Sequence, residues 1–333
     1  MENSESNNKR LWEINEQIYK QKKELDQELK ALEIEKEQLK IDKEEIQRKN
    51  SKLWDQSKAI HVEKERINKL RLEIEARHKE ITDSIVYAQR LQTAILPQDK
   101  LISSFLNEWF ILFKPKDIVS GDFYWFEEKN DRIIFAAADS TGHGVPGAMV
   151  SVICNSGLNR SLKEFNLEDP GEILTKTREI VIEAFEKSHD EVKDGMDIAL
   201  VSMSKEYNSD DSRDLNFAGA HNPLWILRKE TGKIEEIKSD RQPVGKYYKT
   251  VDFNTHSVKL QKGDIIYIFS DGYDSQFGGE KGKKFKSLNM KNLICSIKDK
   301  TMTEQKEIMN NRFEEWRGNL EQVDDVVVFG IKV

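Results

Sequence analysis

Every seventh residue from Leu11 to Ile95 is apolar: Leu11, Ile18, Leu25, Leu32, Leu39, Ile46, Leu53, Ile60, Ile67, Ile74, Ile81, Ala88 and Ile95. No glycine or proline interrupts the run before Pro97. A seven-residue apolar repeat kept over this span specifies a left-handed coiled coil, on the order of 125 Å long at the helical rise. The second position of the repeat is poor, holding Asn15, Lys22, Leu29, Lys36, Lys43, Asn50, Ser57, Lys64, Arg71 and His78. Polar layers fix register at a cost in stability, so the expectation is a specific but weak parallel homodimer. A single solvated helix braced by i,i+4 ion pairs is the alternative. After Ile81 the seam regains Ile85, Ala88, Leu91 and Ile95, so residues 81–96 are expected to lean on the next domain and to end at Pro97.

From Pro97 the texture changes. Short β-branched or aromatic runs read as strands at Trp109–Phe113, Phe123–Phe126, Ile133–Ala138, Ile198–Met203, Leu215–Ala218, Leu224–Leu227, Ile265–Phe269 and Val326–Ile331. Helical patterns occupy Pro146–Glu164, Pro170–Ser188, Asn289–Ser296 and Thr303–Trp316, and the polar stretches Lys205–Asp214 and Gly278–Lys286 read as loops. The chain therefore divides into a coiled coil over 1–96 and an α+β domain over 97–333, with helices packed on largely antiparallel sheets.

Charge separates the same two parts. Residues 1–96 hold 20 Lys+Arg and 20 Asp+Glu, so the remaining 33 basic and 40 acidic residues account for the whole net charge of −7. An acidic domain argues against nucleic acid, which requires a basic patch. No apolar stretch is long enough to span a membrane and no signal peptide is visible, so the expected location is cytoplasmic. Cys154 and Cys295 form neither a disulfide framework nor a metal motif.

Carboxylates at strand ends carry the chemistry. Asp122 follows Ser120-Gly121 just before a strand. Asp139 ends the buried run from Ile133, Asp271 ends the run from Ile265, and Asp324-Asp325 precede the last strand. Asp beside Gly at a strand end is, taken singly, a turn. Strands that bring such residues to one edge would make an oxygen-rich site for a hard divalent cation, and no Cys/His cluster offers a softer one.

The motifs Ser120-Gly121-Asp122-Phe123-Tyr124, Ala138 to Ala148 around Asp139 and Gly142-His143-Gly144, Ala218 to Leu224 around His221-Asn222-Pro223, Pro243-Val244-Gly245, Gly263-Asp264 with Ser270-Asp271-Gly272, and Asp324 to Val328 occur in one order and spacing. In this the chain resembles the bacterial PP2C-like serine/threonine phosphatases of the SpoIIE/RsbU type, over about residues 85–333. The resemblance implies an α-β-β-α sandwich and a centre of two Mn²⁺ or Mg²⁺ ions that activates water for attack on phosphorus. Asp139 would bridge the ions, Ser140 would lend its carbonyl, Asp122 would serve one ion, and Asp271 and Asp324 the other, with Asp325 a further member. His143 reads either as a general acid or as part of a tight glycine loop, Lys114 or Lys116 either as a phosphate-holding residue or as a solvated lysine, and His221 as structural. The implied substrate is a phosphorylated partner, of the class of STAS-domain anti-sigma-factor antagonists. A silent scaffold that only binds such a partner, and a phosphatase for small phosphorylated molecules, remain alternatives.

Overall fold

A computed structural model of the chain describes residues 2–186 and 194–333. The chain forms two compact units, Met1–Glu80 and Ile81–Val333. Helix α1 (Glu2–Ile95) supplies the first unit and the opening turns of the second. Within the first unit Leu11, Leu25, Leu39, Leu53, Ile67 and the other repeat positions are all exposed. Its surface is braced by i,i+4 pairs such as Glu45–Lys49 and Arg71–Glu75, both 2.8 Å. Among the described residues no helix is long and apolar enough to cross a membrane.

The second unit begins at Ile81, earlier than the expected boundary after residue 96. The reason lies in which side chains are covered: Ile85, Ala88, Gln92 and Ile95 turn one face inward, whereas Ile81 and Leu91 stay exposed. The next elements are α2 (Asp99–Ser103), β1 (Glu108–Lys114), β2 (Phe123–Lys129), β3 (Arg132–Ser140), α3 (Gly144–Lys163) and α4 (Pro170–Glu186). Then come β4 (Gly195–Ser204), β5 (Ser212–Ala220), β6 (Leu224–Leu227), β7 (Ile234–Ile237), β8 (Val244–Gly245), β9 (His256–Gln261) and β10 (Ile265–Phe269). The chain closes with α5 (Gly272–Ser275), β11 (Phe277–Gly278), β12 (Lys283–Lys284), α6 (Ser287–Ser296), α7 (Met302–Arg317) and β13 (Val326–Lys332).

Two antiparallel sheets face each other. One runs β1-β13-β10-β6-β7; the other runs β2-β3-β4-β5-β9, with β8 beside the start of β4. The two-residue period of a strand sorts its side chains between layers. In β3, Ile133, Phe135 and Ala137 enter the core between the sheets, while Ile134, Ala136 and Ala138 meet α3 and α4. In β13, Val327, Phe329 and Ile331 face the same central core, while Val326 and Val328 lie under α6 and α7. Covering both faces of both sheets explains why these strands read as unbroken apolar runs. The architecture is the α-β-β-α sandwich.

Some elements escaped the sequence. β7 and β9 are edge strands with polar or exposed outward positions, so neither shows an apolar run. β5 starts inside the stretch read as the loop Lys205–Asp214, and β11 and β12 make a short hairpin where Gly278–Lys286 read as loop. The last two residues of the expected helix Pro170–Ser188 lie outside the described residues.

Candidate active site

The carboxylates meet where both sheets end. β3 delivers Asp139 after six buried residues, and the register Phe123↔Ala138 sets Asp122, the residue just before β2, across from it. On the other side of β3, Asp139 pairs with Asp197 of β4. Three aspartates thus stand abreast along one sheet end. From the opposite sheet, β10 ends in Ser270-Asp271, and Asp324-Asp325 lead into β13, where the Ser270 N–H bonds the Val327 carbonyl at 3.0 Å. The Ser270 hydroxyl donates to Asp122 Oδ2 and accepts the Val327 N–H at 3.0 Å, a polar link from one sheet to the other.

Burial and crowding act on these acids together. Burial first, then the neighbouring charges of Asp271, Asp324 and Asp197, push the Asp139 carboxyl up to about 8, despite a hydrogen bond from Asp122 that opposes the shift. Asp122 is held well above the ordinary carboxylate range by burial and by Asp139. Asp197 is raised by burial, against the His221 imidazole whose Nδ1 lies 2.8 Å from its Oδ1. Among the described residues no three such side chains already close around an ion. Free carboxylates repel one another, and a divalent cation is what would draw them together. The donor set fits that role: it is all oxygen, it is crowded and partly desolvated, and it supplies no soft ligand.

Asp325 is placed differently from the other members of the expected set. Only 2% exposed, it accepts the Lys116 N–H on Oδ1 at 2.7 Å and the Gly121 N–H on Oδ2 at 2.8 Å. Both oxygens hold the backbone of the loop that carries Asp122.

The loop after β3 folds tightly against that segment. Gly142 and Gly144 take φ of +86° and +61°, a region that L side chains rarely adopt. A Cβ on Gly147 would lie 2.1 Å from the Gly142 carbonyl oxygen, so the entry to α3 admits only glycine there. His143 is the N-cap residue of α3, and its Nδ1 lies 2.9 Å from Asp117 Oδ2. An ionised carboxylate only accepts, so this bond places the imidazole proton on Nδ1 and leaves Nε2 for other work. Lys114 is committed elsewhere, to Glu314 at 2.7 Å and Asn310 at 2.9 Å on α7.

Three contributors were missed in the sequence. Asp117 carries no turn or strand signal. Asp197 lies before the apolar run that marked β4, and only the register shows it beside Asp139. Gln92 sits in a helix of polar composition. Buried, it donates from Nε2 to the Ser120 carbonyl at 2.5 Å and to Ser151 Oγ at 3.0 Å, and it accepts the Ser120 N–H at 3.1 Å.

Against known proteins, the signature of the family described as Stage II sporulation protein E (SpoIIE) matches residues 129–333. The chain is 23% identical over 198 residues to the phosphoserine phosphatase RsbU of Bacillus subtilis (strain 168), covering 58% of this chain and 54% of that protein. It thus spans about half the length of this curated relative. Among solved structures it is similar to the SiaA-PP2C domain of Pseudomonas aeruginosa, with 30% identity, 78% of this chain and 99% of that chain covered, and a TM-score of 0.68. The PP2C phosphatase domain of SpoIIE from Bacillus subtilis, at 18% identity and a TM-score of 0.52 over 68% of this chain and 63% of that one, shares the fold.

Proposed function

The chain belongs to the SpoIIE family of PP2C-type proteins, and from that premise we propose that it is a metal-dependent phosphatase acting on phosphoserine or phosphothreonine of a partner protein. The observation that carries the reading is the convergence of Asp122 and Asp139 from one sheet with Asp271 and Asp324 from the other, on one edge. In this reading those four side chains and the Ser140 carbonyl hold two Mn²⁺ or Mg²⁺ ions. Bound there, the ions supply Lewis acidity toward the phosphoryl oxygens and water of lowered pKa as nucleophile. The chain's own contribution is to place and discharge. Asp139 would contribute its carboxylate to holding both ions. Asp325 and Gln92 hold the loop that presents Asp122. His143, with its Nδ1 proton held by Asp117, would serve as general acid in its doubly protonated imidazolium form, giving the Nε2 proton to the departing serine oxygen and ending neutral.

The RsbU relative is named as a phosphoserine phosphatase, and the substrate class proposed for this chain is a phosphorylated STAS-domain protein. The test is phosphate release from such a protein with Mn²⁺ and then with excess EDTA. Release that EDTA abolishes is expected. Release that survives EDTA would remove the metal from the reading, and binding without release would leave a scaffold.

The first unit is proposed to pair two copies through its exposed repeat. Deleting residues 1–78 is expected to convert a dimer to a monomer in sedimentation. A truncated chain that still sediments as a dimer would place the pairing elsewhere.

A further inference from the structure

One loop at the catalytic edge has no part in the chemistry above. Met196 of β4 pairs with Ser140 on one side and with Val244 of β8 on the other. Ser140 and Val244 therefore flank a single strand, about 10 Å apart at the usual strand spacing. β8 runs antiparallel to β4 and leaves the sheet after Gly245, at the end where the aspartates gather. The residues that emerge are Lys246, Tyr247, Tyr248, Lys249 and Thr250.

The neck of this loop is built with care. Gln242, buried, grips Val251 twice, donating to its carbonyl at 2.8 Å and accepting its N–H at 3.1 Å. Arg178 of α4, also buried, donates to the same carbonyl at 2.6 Å and to Gln242 Oε1 at 3.3 Å, with its guanidinium over the Phe253 ring. Asp240 accepts from the Asn254 backbone at 2.8 Å and from its side chain at 2.9 Å, and Asp240 is itself stitched to β5 through Gly219. Residues 243–250 thus form an Ω-loop with a closed, hydrogen-bonded neck.

Its tip does the opposite of packing inward. Tyr248 is 88% exposed, with its ring 4.3 Å from that of half-buried Tyr247, and Lys249 beside it is exposed. Exposed tyrosine adds nothing to a core, whereas on a rigid support it is a strong interface residue that loses little entropy on binding. Charge selects the partner. The catalytic edge is a cluster of carboxylates, and a phosphoserine brings about −1.5 to −2 toward it. Exposed Lys249 at the tip is opposite in sign to that edge, and complements an acidic protein surface around the phosphoserine.

We propose that loop 243–250 is the docking surface for the phosphorylated protein substrate, with Tyr248 and Lys249 gripping the surface beside the phosphoserine. This rests on the phosphatase reading above and adds where the partner is held. The test uses the full chain with Mn²⁺, and compares kcat/KM on a phosphorylated STAS-domain protein with kcat/KM on p-nitrophenyl phosphate, for the intact protein and the double variant Tyr248→Ser, Lys249→Glu. The ratio of the two is expected to fall about tenfold or more in the variant, through KM for the phosphoprotein. A ratio that stays at the intact protein's value overturns the docking role while leaving the activity assigned. An intact protein that hydrolyses p-nitrophenyl phosphate and leaves the phosphoprotein untouched overturns the substrate class, and the loop's occupant with it. Sedimentation with phosphatidylserine vesicles that depends on Tyr248 overturns the proposal in favour of a lipid surface.

Discussion

Asp139→Asn is expected to lower phosphate release by roughly a hundredfold or more, while making the metal-free protein more stable at alkaline pH. The two effects share one cause. Asp139 is raised to about 8 by burial and by Asp271, Asp324 and Asp197. In the unfolded chain the same carboxyl titrates near 4. The folded, metal-free protein therefore keeps a proton that the unfolded chain gives up. Stability from this group is full below about pH 4, declines as pH rises, and is lost once pH passes about 8. Asparagine does not ionise, so the variant escapes that decline. In EDTA at pH 8–9 it should melt above the intact protein, by on the order of 2 kcal/mol, and near pH 4 the two should converge. Thermal melts across that range, with Mn²⁺-dependent turnover measured alongside, check both halves. Near-normal turnover at saturating Mn²⁺ would rule out the bridging role proposed for Asp139.

For Asp325→Asn the stability effect should have the opposite sign. Both Asp325 oxygens accept backbone N–H groups, from Lys116 and Gly121, inside the fold. Asparagine keeps one acceptor and turns an NH₂ toward the other donor, leaving a buried N–H unpaired beside a second donor. Hydrogen bonds to an ionised acceptor contribute more than neutral ones, and the loss should be about 2–4 kcal/mol, with or without metal. Activity should fall as well, because the loop that presents Asp122 loosens. Melting in EDTA separates the two aspartates: one substitution stabilises and the other destabilises. An Asp325→Asn protein that melts at the intact temperature would show that the clamp matters little.

That contrast marks how far the sequence could be read. Asp122, Asp139, Asp271 and Asp324 were visible as acids at strand ends next to glycine, because strand and turn are local properties. The apolar runs were equally plain, since sheets covered on both faces need no alternation. What stayed hidden depends on which strands become neighbours. Asp325 looks like its twin Asp324 until the Lys116–Gly121 backbone is seen across from it. Asp197 is one acid in a polar lead-in until register sets it opposite Asp139. Gln92 resembles every other glutamine of a polar helix, and only its burial against Ser120 and Ser151 sets it apart. β7 and β9 were lost because an edge strand with a wet face has no apolar signature.

The acids of the site belong to different sheets, and no covalent path joins Asp139 to Asp271 except a long way round the chain. Their separation is a thickness, set by the side chains stacked between the layers: Phe135 of β3 meets Phe329 of β13 at 5.5 Å between ring centres, and Phe113 of β1 meets Tyr124 of β2 at 5.5 Å. Those rings are spacers. Thinning one of them would bring the layers closer or let them slip, and the change would appear at the edge as altered catalysis before it appeared as unfolding. In this architecture an aromatic residue in the middle of the core is also a dimension of the proposed site.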